Sequence, residues 1–227
     1  MKNKICCVKI SVNKEKRRLH KIKEYRTVKE SASVEYTEKK SVFISNIKAV
    51  KDKEEADAFI RSIKDKYPDA THNVFAYTLL FSEISKISDD GEPKGTAGAP
   101  ILEVIKHEGL CGVCIVVTRY FGGILLGAGG LVRAYAKAAK LAVDKAGTSV
   151  YSHFYEFSLK VKYSDYEKIS KELAFYGVKC DKEEFCDMVI MYLAARTDKY
   201  DGFLAFVNDF TNGSAVFTKT GERYDVM

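Results

Sequence analysis

No uninterrupted apolar stretch in this 227-residue chain approaches the roughly 20 residues that a membrane-spanning helix needs. The N-terminus begins basic, but its apolar run Ile5–Ile10 is short, is broken by Lys9, and has no small-residue cleavage site after it. A secretory signal is therefore not expected, and the chain reads as a soluble, cytoplasmic protein. Close cysteine pairs are scarce as well. Of six cysteines only Cys111 and Cys114 form a CxxC, and Cys180 and Cys186 stand too far apart for a second knuckle, which argues against a zinc ribbon. Cys114 also opens a strand pattern, whereas a redox pair sits at a helix N-terminus that lowers the thiol pKa. Buried, inert thiols in a reducing compartment are the expectation. Two nucleotide-binding signatures are missing too. No Lys-Ser/Thr follows the glycines of Gly122–Gly130, which excludes a Walker A loop, and GAGGLV lacks the G-x-G-x-x-G spacing.

The composition is otherwise that of a globular protein, 46% hydrophobic and 12% aromatic. The net charge of +6 misleads. Residues 1–23 hold nine Lys and Arg against the single acid Glu15, leaving 28 bases against 30 acids in the rest. Such a segment could contact nucleic acid or an acidic membrane surface. The plainer reading, a disordered basic extension over residues 1–23, is preferred, because no aromatic interleaving accompanies the charge.

Hydrophobic periodicity then lays out the elements. Strands are expected over Tyr25–Tyr36 and Ser41–Val50, a helix over Glu54–Tyr67 with Asp52 as its N-cap, and a buried strand over Asn73–Phe81. Ser82–Pro100 carries two of the chain's three prolines and few large apolar residues, and reads as a long loop before a short helix over Ile101–His107. Val113–Phe121 is apolar on both faces and should be a central strand. An alanine-rich helix follows over Gly127–Ala146, stopped by Gly147, with Leu131, Tyr135, Ala138 and Ala142 as its core face. Arg133, Lys137 and Lys140 make a basic stripe along it. The remainder reads as strand Phe154–Val161, helix Ser164–Tyr176 capped by Ser164, strands Val178–Phe185 and Met188–Ala195, helix Thr197–Thr211 and strand Ala215–Tyr224. That β-α-β-β-α-β order is the ferredoxin-like split unit. The expected class is α+β in two domains, residues 24–148 and 149–227.

Three stretches bear chemistry. TRYFGGILLGAGGLVRAY (Thr118–Tyr135) holds five glycines between a buried strand and a helix. A helix N-terminus presents unpaired N–H groups and positive potential, which suits anions. Gly122 and Gly123 would turn the chain, Gly127, Gly129 and Gly130 would let a ligand approach the backbone, and Arg119, Tyr120, Arg133 and Lys137 would flank it. Close helix–sheet packing explains the same glycines about as well. Asp89, Asp90 and Glu92, in SDDGEP, could bind magnesium or pair with the arginines, although a solvated loop is the simpler account. His72, in DATHN, stands directly before the buried strand expected from Asn73, with no Ser, Cys or acid visibly placed for a triad. A structural or ligand-contacting histidine is favoured over a general base.

DATHN, SDDGEPKGTAGAPIL and VVTRYFGGILLGAGGLVRAY, in this order, resemble the IMPACT/YigZ family, over a span from Tyr25 to the end. The resemblance implies a ribosomal protein S5 domain 2-like fold followed, as in bacterial members, by a ferredoxin-like domain. It implies kinship with the last two domains of the translocation elongation factor, which contact the ribosome. Eukaryotic relatives regulate translation by competing for the activator of an amino-acid-starvation kinase, through a further N-terminal domain outside the resemblance. The CGVC departs from the family pattern. The expectation is a translation-associated binding or regulatory protein that contacts RNA, the ribosome or another phosphate-bearing partner, with a protein partner conceivable and no resident cofactor. The competing expectation is a metal-assisted enzyme acting on a nucleotide or phosphoester, with His72 as base and magnesium on Asp89, Asp90 or Glu92.

Overall fold

The computed structural model describes residues 23–82 and 84–226. The basic extension read over residues 1–23 falls outside them save for Lys23. The described chain is mixed α+β, with two antiparallel sheets and five helices, and it divides into two compact units that meet between Val150 and Tyr151.

In the first unit, β1 (Glu24–Val28) precedes a five-stranded sheet of β2 (Ala32–Glu38), β3 (Ser41–Ala49), β4 (His72–Thr78), β5 (Ser85–Ser88) and β6 (Val113–Tyr120), ordered β2-β3-β6-β4-β5. β6 is the central strand, with seven of its eight residues buried, and it pairs with β3 on one side and β4 on the other. Its side chains alternate between two cores. Val113, Ile115 and Val117 pack beneath helices α2 (Gly98–His107) and α3 (Gly127–Ala146), while Cys114 and Val116 face α1 (Lys53–Lys66). The continuous apolar run expected there follows from this double cover. A fully buried aliphatic side chain contributes roughly 1.5–3 kcal/mol, so β6 is where substitution costs the fold most.

α1 starts where Asp52 accepts a hydrogen bond from the Glu55 amide at 2.8 Å. It buries Ala56, Ile60 and Ile63, one face at helical spacing. α3 buries Leu131 and Tyr135 among a row of alanines, Ala134, Ala138, Ala139, Ala142 and Ala146, so its axis lies close to the sheet. β2 and β3 are joined by a turn in which Lys39 and Lys40 both take positive φ, 44° and 65°.

The second unit continues from β7 (Thr148–Val161), a strand that begins before the division, through α4 (Tyr163–Glu172), β8 (Val178–Phe185), β9 (Val189–Arg196), α5 (Tyr200–Phe210) and β10 (Val216–Val226). Its strands lie in the order β10-β7-β9-β8. Phe157, Leu159, Met191 and Leu193 meet Ile169, Phe203 and Val207 in its core.

Four sequence expectations need correction. Tyr25–Tyr36 is not one strand but two, β1 and β2, separated at residues 29–31. The loop expected over Ser82–Pro100 contains β5 and the first residues of α2. Ser164 does not cap α4: its hydroxyl turns to Asp165 at 3.0 Å, and the helix starts one residue earlier without a side-chain cap. Cys180 and Cys186 are exposed, not buried: Cys180 lies on β8, the edge strand of its sheet, and Cys186 just past its end.

Candidate functional site

Strand register builds the site. Phe43 on β3 and His72 on β4 both stand opposite Arg119 on β6, so the three side chains share one face of the sheet. Arg119 continues the row Val113, Ile115, Val117, but at the strand end, where the helical cover gives way to the loop Phe121–Leu126. Its side chain is only 6% exposed. The guanidinium lies against the rings of Phe43 and Phe121, 5.5 and 5.6 Å from their centroids.

A buried cation needs a partner, and Glu92 supplies it. Arg119 Nη1 donates to Glu92 Oε1 at 2.6 Å, and the Tyr135 hydroxyl, from α3, donates to the same oxygen at 2.7 Å. Burial first, then the hydrogen bond to Glu92, pushes the Tyr135 phenol well above its ordinary range. Arg119 Nη2 also donates to Ser41 Oγ at 3.3 Å, and Arg119 Nε is buried without a partner. His72 Nδ1 lies 2.7 Å from the Asp90 carbonyl. That oxygen only accepts, so Nδ1 carries the proton. Nε2 then faces Glu92 Oε1 at 3.9 Å, too far for a direct hydrogen bond.

The three acids of SDDGEP do separate work. Asp89 accepts from the amides of Gly95, Ala97 and Gly98 at 2.7, 3.2 and 2.8 Å, closing the loop onto the start of α2. Burial alone would raise its pKa, but those three N–H groups outweigh burial and hold it below the ordinary value. Asp90 accepts from Lys64 Nζ at 2.8 Å and from the Asn73 amide at 2.7 Å. There too burial is outweighed, by Lys64 and the Asn73 amide, and the carboxyl is held low. Glu92 turns inward to Arg119. The carboxylates do not converge, and among the described residues no group of three His, Cys, Asp or Glu side chains is placed to hold a metal ion.

Beside this network lies a pocket of about 400 Å³. Its polar lining is His72, Glu92, Arg119 and Thr71, and its apolar lining includes Phe121, Leu125, Leu126 and Leu131. Gly127 and Ala128, at the start of α3, complete it. Leu125 is 84% exposed. No side chain caps the α3 N-terminus, and Gly127 sits there at φ +68° with open space around its Cα, a conformation that favours glycine.

Of the residues singled out from sequence, His72, Arg119, Glu92 and Gly127 line the pocket and the others do not. Gly122 is a packing residue: a Cβ there would stand 2.0 Å from the Lys40 carbonyl carbon, and its amide donates to Ser41 Oγ at 3.2 Å. Gly123 is exposed in the turn. The Tyr120 hydroxyl donates to Asp69 at 2.9 Å. Gly129 and Gly130 lie in the first turn of α3, and Arg133 is exposed, with its Nη1 3.6 Å from where a Gly129 Cβ would be. Lys137 reaches over the Tyr36 ring at 4.3 Å and lines a separate groove of about 740 Å³ between α2 and α3. Sequence reasoning missed Ser41, which the pairing of β3 with β6 brings to Arg119, the Tyr135 hydroxyl, which the position of α3 brings to Glu92, and the apolar wall, which the three large residues inside the glycine loop, Ile124, Leu125 and Leu126, do signal.

A two-unit α+β protein with a buried Arg–Glu–Tyr cluster beneath a glycine-opened helix is the class that fold and site define. The family model for the Impact N-terminal domain matches residues 39–143, which encloses the whole pocket. The chain is 37% identical over 192 residues to the IMPACT family member YvyE of Bacillus subtilis, covering 84% of this chain and 88% of that protein. It is 35% identical over 179 residues to the IMPACT family member YigZ of Escherichia coli, covering 78% and 88%. A solved structure described as a crystal structure of an hypothetical protein superposes with a TM-score of 0.57 at 31% identity, over 88% of this chain and 98% of that one. The chain belongs to the IMPACT family. Among the described residues no helix is long and apolar enough to cross a membrane.

Proposed function

We propose that this chain is a translation-associated regulatory protein that binds RNA, free or on the ribosome, by holding a phosphate at the N-terminus of α3. The observation that carries this is the uncapped start of a 20-residue helix, opened by exposed Gly127, Ala128 and Gly129, with the exposed Arg133 alongside. Unpaired N–H groups and the helix dipole favour an anion there. Arg133 supplies the mobile charge, because Arg119 is already neutralised by Glu92. Family membership supports a role in regulating translation.

We read the first unit as ribosomal protein S5 domain 2-like over residues 24–148, and the second as ferredoxin-like over 149–227. The order β10-β7-β9-β8 supports the second reading, since it places the first and third strands of a β-α-β-β-α-β unit side by side at the centre.

The test is a salt titration of RNA binding with Ala128→Asp and Arg133→Ala. An acid in the first turn suits the helix dipole, so Ala128→Asp should leave the melt intact while repelling phosphate. Arg133→Ala should weaken binding and lower the salt slope by about one. RNA binding that is indifferent to both substitutions overturns the reading.

A further inference from the structure

We propose that the same pocket distinguishes RNA from DNA by taking a ribose hydroxyl against Glu92 and His72. This rests on the reading of the α3 N-terminus as a phosphate site.

The Glu92 side chain is 3% exposed. Both its donors, Arg119 Nη1 and the Tyr135 hydroxyl, go to Oε1. Oε2 accepts no hydrogen bond from any described residue, and it belongs to a residue that lines the pocket. His72 Nδ1 is committed to the Asp90 carbonyl, so in the neutral ring Nε2 is a second acceptor in the same lining.

These atoms select a ligand chemistry. A free carboxylate oxygen with an acceptor nitrogen nearby wants a donor. A cation would meet a carboxylate already balanced by Arg119, next to the positive end of α3, and an anion would meet Glu92 itself. A neutral donor fits, and beside a phosphate held at the end of α3 the hydroxyl of the adjoining ribose has one proton to give. The adjoining Phe121, Leu125 and Leu131 side chains offer apolar surface to a sugar and base. The pocket thus places a hydroxyl-seeking pole beside a phosphate-seeking helix end. The 2′-hydroxyl is the group by which a protein tells RNA from DNA. A deoxyribose in this place would leave a buried carboxylate oxygen both desolvated and unpaired, which is where discrimination arises.

The experiment measures fluorescence anisotropy of the full chain with labelled single strands of one sequence, as RNA, as 2′-O-methyl RNA and as DNA. RNA is expected to bind about tenfold tighter than either of the others, since the methylated strand keeps the ribose but has lost the donor. His72→Ala and Glu92→Gln should each narrow the gap between RNA and DNA affinity. Glu92→Gln disturbs a buried ion pair, so thermal melts accompany it, and His72→Ala alone decides the matter if Glu92→Gln fails to fold. Equal binding of RNA and DNA by the wild type, or of RNA and 2′-O-methyl RNA, overturns the hydroxyl reading and leaves the phosphate reading standing. An undiminished RNA preference in His72→Ala overturns it as well. Binding of none of the strands removes the phosphate reading, and this one with it.

Discussion

Arg119 and Glu92 form an ion pair at 2.6 Å with side chains 6% and 3% exposed, joining the end of the central strand to the loop that follows β5. Removing one member of a buried pair strands the other charge away from water, which costs about 3–5 kcal/mol. Glu92→Ala should therefore lower stability by about that much in urea denaturation, and Tyr135→Phe by about 1.5–3 kcal/mol, the range for a hydrogen bond to a charged acceptor. Arg119→Met combined with Glu92→Leu should cost less than Glu92→Ala alone, because it removes both charges together. A double substitution at least as damaging as the single one would show that the pair stabilises the fold by itself.

The two kinds of glycine in the loop separate on substitution. Gly122→Ala drives a methyl into the Lys40–Ser41 backbone and should cost more than about 2 kcal/mol, with the loop displaced. Gly129→Ala meets only a flexible arginine end at 3.6 Å, inside a helix, and should be neutral or stabilising by up to about 1 kcal/mol. Thermal melts of the two variants check the contrast, which would collapse if both shifted by the same amount.

Asp89 gives the first unit a signature in acid. Its carboxyl is held below the ordinary value of 3.8 by three backbone amides against the opposing effect of burial. A group depressed on folding contributes stability that is fully present above its unfolded pKa and is lost as pH falls through the folded one. The wild type should lose this contribution progressively below about pH 4. Asp89→Ala should lose about 0.5–2 kcal/mol at neutral pH, as for a helix cap, and show a flatter acid limb. Urea midpoints across pH 3 to 7 read both, and an acid limb as steep in Asp89→Ala as in the wild type would remove Asp89 from the account.

Three thiols of the described residues should react in a set order. Cys186 is exposed and should be alkylated first. Cys180 is exposed too, but burial of its thiol group and the neighbouring Glu183 push its pKa up to about 11, so little thiolate exists at pH 8. Cys114 is fully buried in the α1-facing core and should react only after unfolding. Peptide mapping after iodoacetamide treatment checks the order, and early labelling of Cys114 in the folded protein would contradict the packing of β6.

Much of the architecture is legible in the chain because the two periodicities are clean. α3 begins at Gly127 and ends at Ala146 as its pattern indicates, and the unbroken run of β6 reads correctly as a strand covered on both faces. What is not legible depends on partners distant in sequence. β5 is a short edge strand whose Ser85–Ser88 carries one large apolar residue, so its identity comes from pairing with β4. Tyr135 scans as a core residue, and its ring is one. That its hydroxyl holds Glu92 follows only from where α3 crosses the end of β6. The clustering of Asp89, Asp90 and Glu92 suggests one shared job, yet steps of one and two residues in a turning loop send each carboxylate to a different partner.

The turn between β2 and β3 bears on the loop it touches. A two-residue turn with positive φ at both positions favours Asn-Gly, because side chains with a Cβ are strained there. This chain places Lys39 and Lys40 in that conformation instead, and the Lys40 carbonyl is the group against which Gly122 packs. An Asn-Gly replacement would relax the hairpin while stripping two positive charges from the segment that abuts the glycine loop. The hairpin thus carries backbone strain at Lys39 and Lys40, and its Lys40 carbonyl is the surface that keeps position 122 to glycine.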